Sequence, residues 1–228
     1  MKRRSFLTIS TAAFAGMHLP TNAFDMDYAP NASFDHVIFA VSNLEAGIRI
    51  IKEKTGVEAV FGGKHPHLGT QNALLSLGTD AYLEILAPDP TGGPLKGYEF
   101  IKDLHEGKVI TWAAHTDNIE ALLKAATDNK LEHSGINAGQ RNTPDGKTLT
   151  WKSMSVQTQV DEVMPFFIQW GSGVAHPATT SPKGCTLKSV KLSHPDPALV
   201  KKTFQSFGIK NEVVSGPAEL SLVISTKK

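Results

Sequence analysis

Two strand-like stretches carry an imidazole and a carboxylate where burial would make both costly. In "FDHVIFAV" (34–41) alternation puts Val37, Phe39 and Val41 on one apolar face, and His36, Ile38 and Ala40 on the other. In "DAYLEIL" (80–86) the same reasoning sets Leu83 and Ile85 on the apolar side and Tyr82, Glu84 and Leu86 opposite. A mid-strand carboxylate costs free energy to bury unless it is paired or coordinates a metal. Imidazole with carboxylate suits Zn, Fe, Ni or Mn. Each residue also has a plainer reading. His36 could be a satisfied core histidine, and Glu84 could accept hydrogen bonds from Tyr82 or the backbone.

A third stretch, "GGKHPHLGTQN" (62–72), holds two histidines around a proline. Pro66 fixes its own φ and favours an extended residue before it, so His65 and His67 should point in opposite directions and not share one ion. The glycines lack the G-x-x-x-x-G-K-[ST] spacing of a phosphate loop. We read the segment as a rim element, with one histidine hydrogen-bonding a ligand beside Asn72. A solvated turn is the alternative. Arg141, in "GQRNTPDG", is a candidate anion clamp on a loop, or simply an exposed side chain. Of the three tryptophans, one could wall a pocket, while core packing suits Trp112 and Trp170.

The elements that must position these residues repeat. "FDHVIFAVSNLEAGIRIIKEKTGV" (34–57) reads as strand then helix, with Ser42 and Glu45 as a capping box and Leu44, Ile48 and Ile51 on one helical face. "VITWAAHTDNIEALLKAATDNKL" (109–131) repeats the plan, with Asp117 and Glu120 at the cap, and Leu44 to Ile119 spans 75 positions. "TLKSVKLSHPDPALVKKTFQSFGI" (186–209) is a third copy. Strand signals follow each helix: "VEAVFGG", "NALLSLG" and "AYLEILA"; then "LEHSGIN", "TLTWKSMSV" and "VMPFFIQW"; then "NEVVSG" and "ELSLVIS". The plan is βαβββ, βαβββ and a partial βαββ, an α+β fold built by duplication. It divides the chain into modules at 34–90 and 109–171 with an extension at 184–228.

This organisation resembles the vicinal oxygen chelate superfamily, in which paired βαβββ modules curl into a cup around a small ligand. "FDHVIFAVSNLEAG", "HPHLGTQNALLSLGTDAYLEILAPDP" and "PFFIQWGSG…HP" are similar, more narrowly, to its glyoxalase-like branch. The resemblance implies that His36 and Glu84 stand at the first two metal-ligand positions of the cup. In the second module the 75-residue offset sets Thr111 opposite His36, and Gln169 is the expected partner of Glu84. Both depart from the superfamily's ligand pattern. A set of His36, Glu84 and Gln169 would leave open positions for chemistry. Three functions follow as expectations. One is a metal-dependent lyase, isomerase or dioxygenase acting on a small oxygenated molecule. The second is a metal-free protein that binds and sequesters such a molecule. The third is metal-free acid/base catalysis by Glu84 with His65 or His67. The cup would bind its ligand through His65, His67, Asn72, Tyr82, Gln169 and Arg141, and the chain could form a homodimer.

Composition narrows the setting. The 228 residues are 40% hydrophobic and 20% charged, ordinary for a globular protein. Lys2, Arg3 and Arg4 account for the net +1; without them 20 basic residues face 22 acidic ones, which predicts neither a nucleic-acid nor an anionic-membrane partner. Cys185 is the sole cysteine, so no intrachain disulfide forms. "MKRRSFLTISTAAFAGM" has a basic start and an apolar run too short for the roughly 20 residues that span a bilayer, which argues against stable membrane insertion. "TNA" (21–23) offers a cleavage site near Ala23. "RRSFL" resembles the twin-arginine export motif, read by the export machinery of bacteria. The expectation is a signal peptide over 1–23 and a mature protein in the periplasm, with a general secretory signal as the alternative.

Overall fold

The computed structural model describes residues 30–144 and 146–226; the signal-peptide reading of 1–23 lies outside them. The first βαβββ unit comprises β1 (Ser33–Ala40), α1 (Leu44–Thr55), β2 (Val60–His65), β3 (Thr70–Ser76) and β4 (Tyr82–Pro88). The second comprises β5 (Lys108–His115), α2 (Ile119–Asp128), β6 (Asn137–Asn142), β7 (Thr148–Met154) and β8 (Phe166–Trp170). A 3-10 turn over Glu99–Asp103 lies between them. After the short α3 (Pro177–Thr180) come β9 (Cys185–His194), α4 (Pro197–Gln205), β10 (Val213–Ser215) and β11 (Glu219–Thr226).

The first eight strands form one curved sheet in the order β2-β3-β4-β1-β5-β8-β7-β6. In each unit a parallel strand pair flanks the centre (β1 with β4, β5 with β8), and β1 and β5 join the units antiparallel. That central register is symmetric. His36 pairs with Ala113 and Ile38 with Thr111, so the 75-residue shift turns each pair into the other. Ile38 then pairs with Glu84 where Ala113 pairs with Phe166. The two free edges meet across a seam, where Nη1 of Arg141 on β6 donates to the Gly62 carbonyl on β2. Gly63, at φ 149°, sits so close to the opposite edge that a Cβ would lie 2.4 Å from the Asn142 carbonyl oxygen.

The helices start where a side-chain oxygen can take up a free backbone N–H. Asn43 accepts from Ala46 N at 2.9 Å, Asn118 from Ala121 N at 3.0 Å and Asp196 from Leu199 N at 2.9 Å. The caps of α1 and α2 are thus Asn43 and Asn118, one residue beyond the expected Ser42 and Asp117. Ser42 pairs instead with His105 Nδ1 at 3.1 Å. The strand expected at "LEHSGIN" begins only at Asn137, because the chain before it turns under Ser134 and His133.

α1 and α2 cover the outer face of the curved sheet. Val37, Ile51, Leu83 and Ile85 form one core beneath α1. Trp112, Leu122 and Phe167 form another beneath α2, where Trp112 donates Nε1–H to the Val163 carbonyl at 2.9 Å. The C-terminal unit contributes to both: Leu222 and Ile224 of the three-stranded sheet β10-β9-β11 enter the first core, and Leu192 of that sheet with Phe204 of α4 and Phe207 just after it enter the second.

Candidate active site

The inner face of the sheet encloses a cavity of about 560 Å³, within the ordinary size range for small-molecule sites. Its wall brings together His36, His65, Asn72, Tyr82, Glu84 and Arg141 of the residues expected there, with a half-buried Thr111. His67 is exposed and does not line it, so of the two histidines around Pro66 only His65 faces inward.

Gln169 requires a correction. Its Oε1 accepts from Ile119 N at 3.0 Å and its Nε2 donates to the Asp117 carbonyl at 3.0 Å, so it ties β8 to the start of α2 on the outer face. Phe166, Ile168 and Trp170 are the inward residues of β8. The counterpart of Glu84 is therefore Phe166, which meets the His36 ring edge-on at 5.5 Å. Arg141 is also placed differently from the expectation. It stands on a strand and is buried, at 5% exposure.

His36 is held by a residue that strand alternation assigns to the other face. β1 carries a bulge between Phe34 and His36, which sets both against consecutive residues of β5 and leaves Asp35 between them. A bulge re-aims its side chain, and here Asp35 Oδ1 lies 2.6 Å from His36 Nδ1. Oδ2 accepts from Trp170 Nε1 at 3.0 Å and lies 3.1 Å from His176 Nε2. Burial opposes ionisation of Asp35, but the hydrogen bonds from His176 and His36 outweigh it and hold the carboxyl well below the usual carboxylate range. An ionised carboxylate only accepts. His36 Nδ1 therefore carries a proton, and Nε2 is the nitrogen left facing the cavity. His176 carries its proton on Nε2, which frees Nδ1 to accept from Ala178 N at 3.2 Å.

Glu84 completes the floor. Asn72 Nδ2 donates to its Oε1 at 2.8 Å, and Oε2 lies 3.5 Å from His36 Nε2, long for a hydrogen bond. The Tyr82 ring stacks on His36 at 4.5 Å, and burial keeps its phenol protonated far above the ordinary range. His65 Nδ1 lies 3.1 Å from Thr70 Oγ1, and Nε2 is 3.5 Å from the Asn72 amide nitrogen. Burial lowers its pKa, and Arg141 and His36 add to that against the pull of Glu84, so His65 is biased toward the neutral ring. Burial likewise lowers the Arg141 pKa, opposed by Glu84 and Tyr82. His115 stays outside the cavity wall, with Nε2 3.1 Å from Asp117 and its buried Nδ1 without a hydrogen-bond partner.

As a metal centre the floor is half a site. His36 and Glu84 are ligand types, but the symmetry-related positions hold Thr111 and Phe166. Among the described residues no group of three His, Cys, Asp or Glu side chains could hold an ion. The donor set does not fit the four-ligand arrangement that the superfamily implies.

Paired βαβββ units closing one sheet around such a cavity define a cup of the vicinal oxygen chelate type. The chain belongs to the glyoxalase-like domain family, whose profile matches residues 34–208. No curated protein sequence matches it. Among solved structures, a hypothetical protein from Staphylococcus aureus is similar over 83% of this chain and 84% of its own, with a TM-score of 0.61 and 18% identity. Methylmalonyl-CoA epimerase from Mycobacterium tuberculosis matches over 64% of this chain and 92% of its own, with a TM-score of 0.44 and 16% identity.

Proposed function

We propose that the protein is an enzyme that moves a proton on a small oxygenated molecule bound in the cup, an isomerase or lyase working through Glu84 and His36. The observation that carries this reading is the line Asp35–His36–Glu84. Asp35 fixes which ring nitrogen faces the cavity, and that nitrogen stands 3.5 Å from a carboxylate oxygen on the same floor. Two proton carriers so placed can serve one carbon next to a carbonyl. Glu84 Oε2 accepts the proton as the enolate forms and passes it to the open lone pair of His36 Nε2, which returns it to the carbon and so restores the starting tautomer. Asn72 keeps the carboxylate aimed. Neither step requires Zn, Fe, Ni or Mn, for which His36 and Glu84 alone would be a two-ligand set. Sequestration without chemistry would not require the Asp35 brace.

The test is exchange of carbon-bound protons with deuterated solvent, followed by NMR over a panel of small carbonyl compounds, with metal content measured alongside. Wild type should exchange one of them, and Glu84→Gln and His36→Ala should each lose about 10²-fold or more. Equal exchange in all three proteins would refute the reading. A near-stoichiometric metal lost from both variants would replace it with the metal-dependent form.

We also propose export through the twin-arginine route, supported by "RRSFL" and the apolar run behind it. Changing Arg3 and Arg4 together to Lys should retain the protein inside the cell. Unchanged delivery to the periplasm would point to the general secretory route.

A further inference from the structure

This inference rests on the proton-transfer reading and names the class of molecule that the cup takes. Arg141 is 5% exposed, yet it lines the cavity and is the only guanidinium or ammonium group among the described residues that do. A guanidinium has five donors. One hydrogen bond from it is present, to the Gly62 carbonyl, and no described carboxylate pairs with it. Glu84 favours the charged guanidinium only from a distance and makes no ion pair with it, since one of its oxygens takes the Asn72 amide and the other faces His36. A buried cation with no carboxylate in contact is costly. The Gly62 bond explains why the arginine reaches the seam, but a neutral donor would close the seam as well.

We infer that Arg141 is a carboxylate subsite, and that the substrate is a small oxo-carboxylic acid with an apolar body. The planar fork of the guanidinium matches a carboxylate in shape and in charge, one against one. A phosphate dianion would call for a second cation, and the described wall holds no other guanidinium or ammonium group. The remainder of the wall supports the apolar body: Trp151, Trp170, Phe166, Leu68 and Leu86 line the same cavity. Bound by its carboxylate to Arg141, such an acid would present the carbon beside its carbonyl to Glu84 and His36.

The test is calorimetric titration of wild type with pyruvate, acetoacetate and phenylpyruvate, each beside its methyl ester. At least one acid should bind, with phenylpyruvate tightest, and its ester should bind tenfold or more weakly. Arg141→Gln, checked for folding by circular dichroism, should bind acid and ester alike, and Arg141→Lys should fall between. Acids and esters bound equally by wild type, or no acid bound at all, would overturn the subsite, and wild type alone decides this if Arg141→Gln fails to fold. Glu84→Gln should bind the acid as wild type does while losing exchange. Acids bound without exchange would leave the subsite standing and remove the proton-transfer reading. Exchange of esters without acid binding would do the reverse.

Discussion

Asp35 shows how much one side chain can organise at the floor of this cup. Its carboxylate takes hydrogen bonds from two histidines and a tryptophan, and the ring of His36 has no other polar anchor at Nδ1. Asp35→Asn replaces an acceptor-only group with one that must also donate, so the His36 ring would lose its fixed tautomer. Exchange activity should fall by about 10²-fold while ligand binding is kept. Stability should fall too, by about 3–5 kcal/mol, the usual cost of breaking a buried charge network. The pH dependence has a definite sign. The folded carboxyl ionises below its ordinary value, so its contribution is complete above about pH 4 and is lost as the pH falls further. Urea melts across that range should show wild type losing stability on acidification more steeply than the variant. A parallel pair of curves would refute this account. Asp35 was not read from the sequence because alternation sends it to the helix side. The available signal was an aspartate on a face otherwise filled by Val37, Phe39 and Val41. His36 and Glu84 were legible because each is polar among apolar neighbours on a regular strand.

At the scale of elements, β8 is the instructive case. "FFIQW" is apolar on both faces except for one glutamine, so period two alone cannot say which face is inner. The answer comes from α2, whose first turn has a free N–H at Ile119 for Gln169 to satisfy. Gln169→Ala should therefore cost about 1 kcal/mol in thermal or urea denaturation. It should leave exchange activity within twofold of wild type, and a large loss of activity would return Gln169 to the site. The caps read one residue early for a related reason. Ser42 and Asp117 are good cap types, but in both units an asparagine follows directly and takes the role. That the shift is the same in both units is a mark of the duplication, which the 75-residue spacing made readable before any coordinate. β6 was not readable, since "NAGQRN" has no alternation and only Ala138 as an apolar residue, and the residue that matters there, Arg141, acts across the seam on a strand far away in sequence.

For the molecule as a whole, the C-terminal sheet and α4 tie the two units together from outside. Leu222 is 3% exposed in the core beneath α1, and Phe204 is 1% exposed in the core beneath α2. Leu222→Ala should lower stability by about 2–5 kcal/mol. Because the lost contacts lie on the outer face, the affinity for any ligand of the cup should be unchanged in the protein that remains folded. Weakened binding at equal folded fraction would mean that the outer core tunes the cavity. The α+β class and the three-unit plan were legible in the sequence; the way the third unit bridges the other two was not, since its strands match its neighbours only in space. That bridging also sets an order in time. A nascent chain that has not yet made Glu219–Thr226 lacks Leu222 and Ile224, so one side of the core beneath α1 stays open to water. Burial of that core must wait until translation has passed β11.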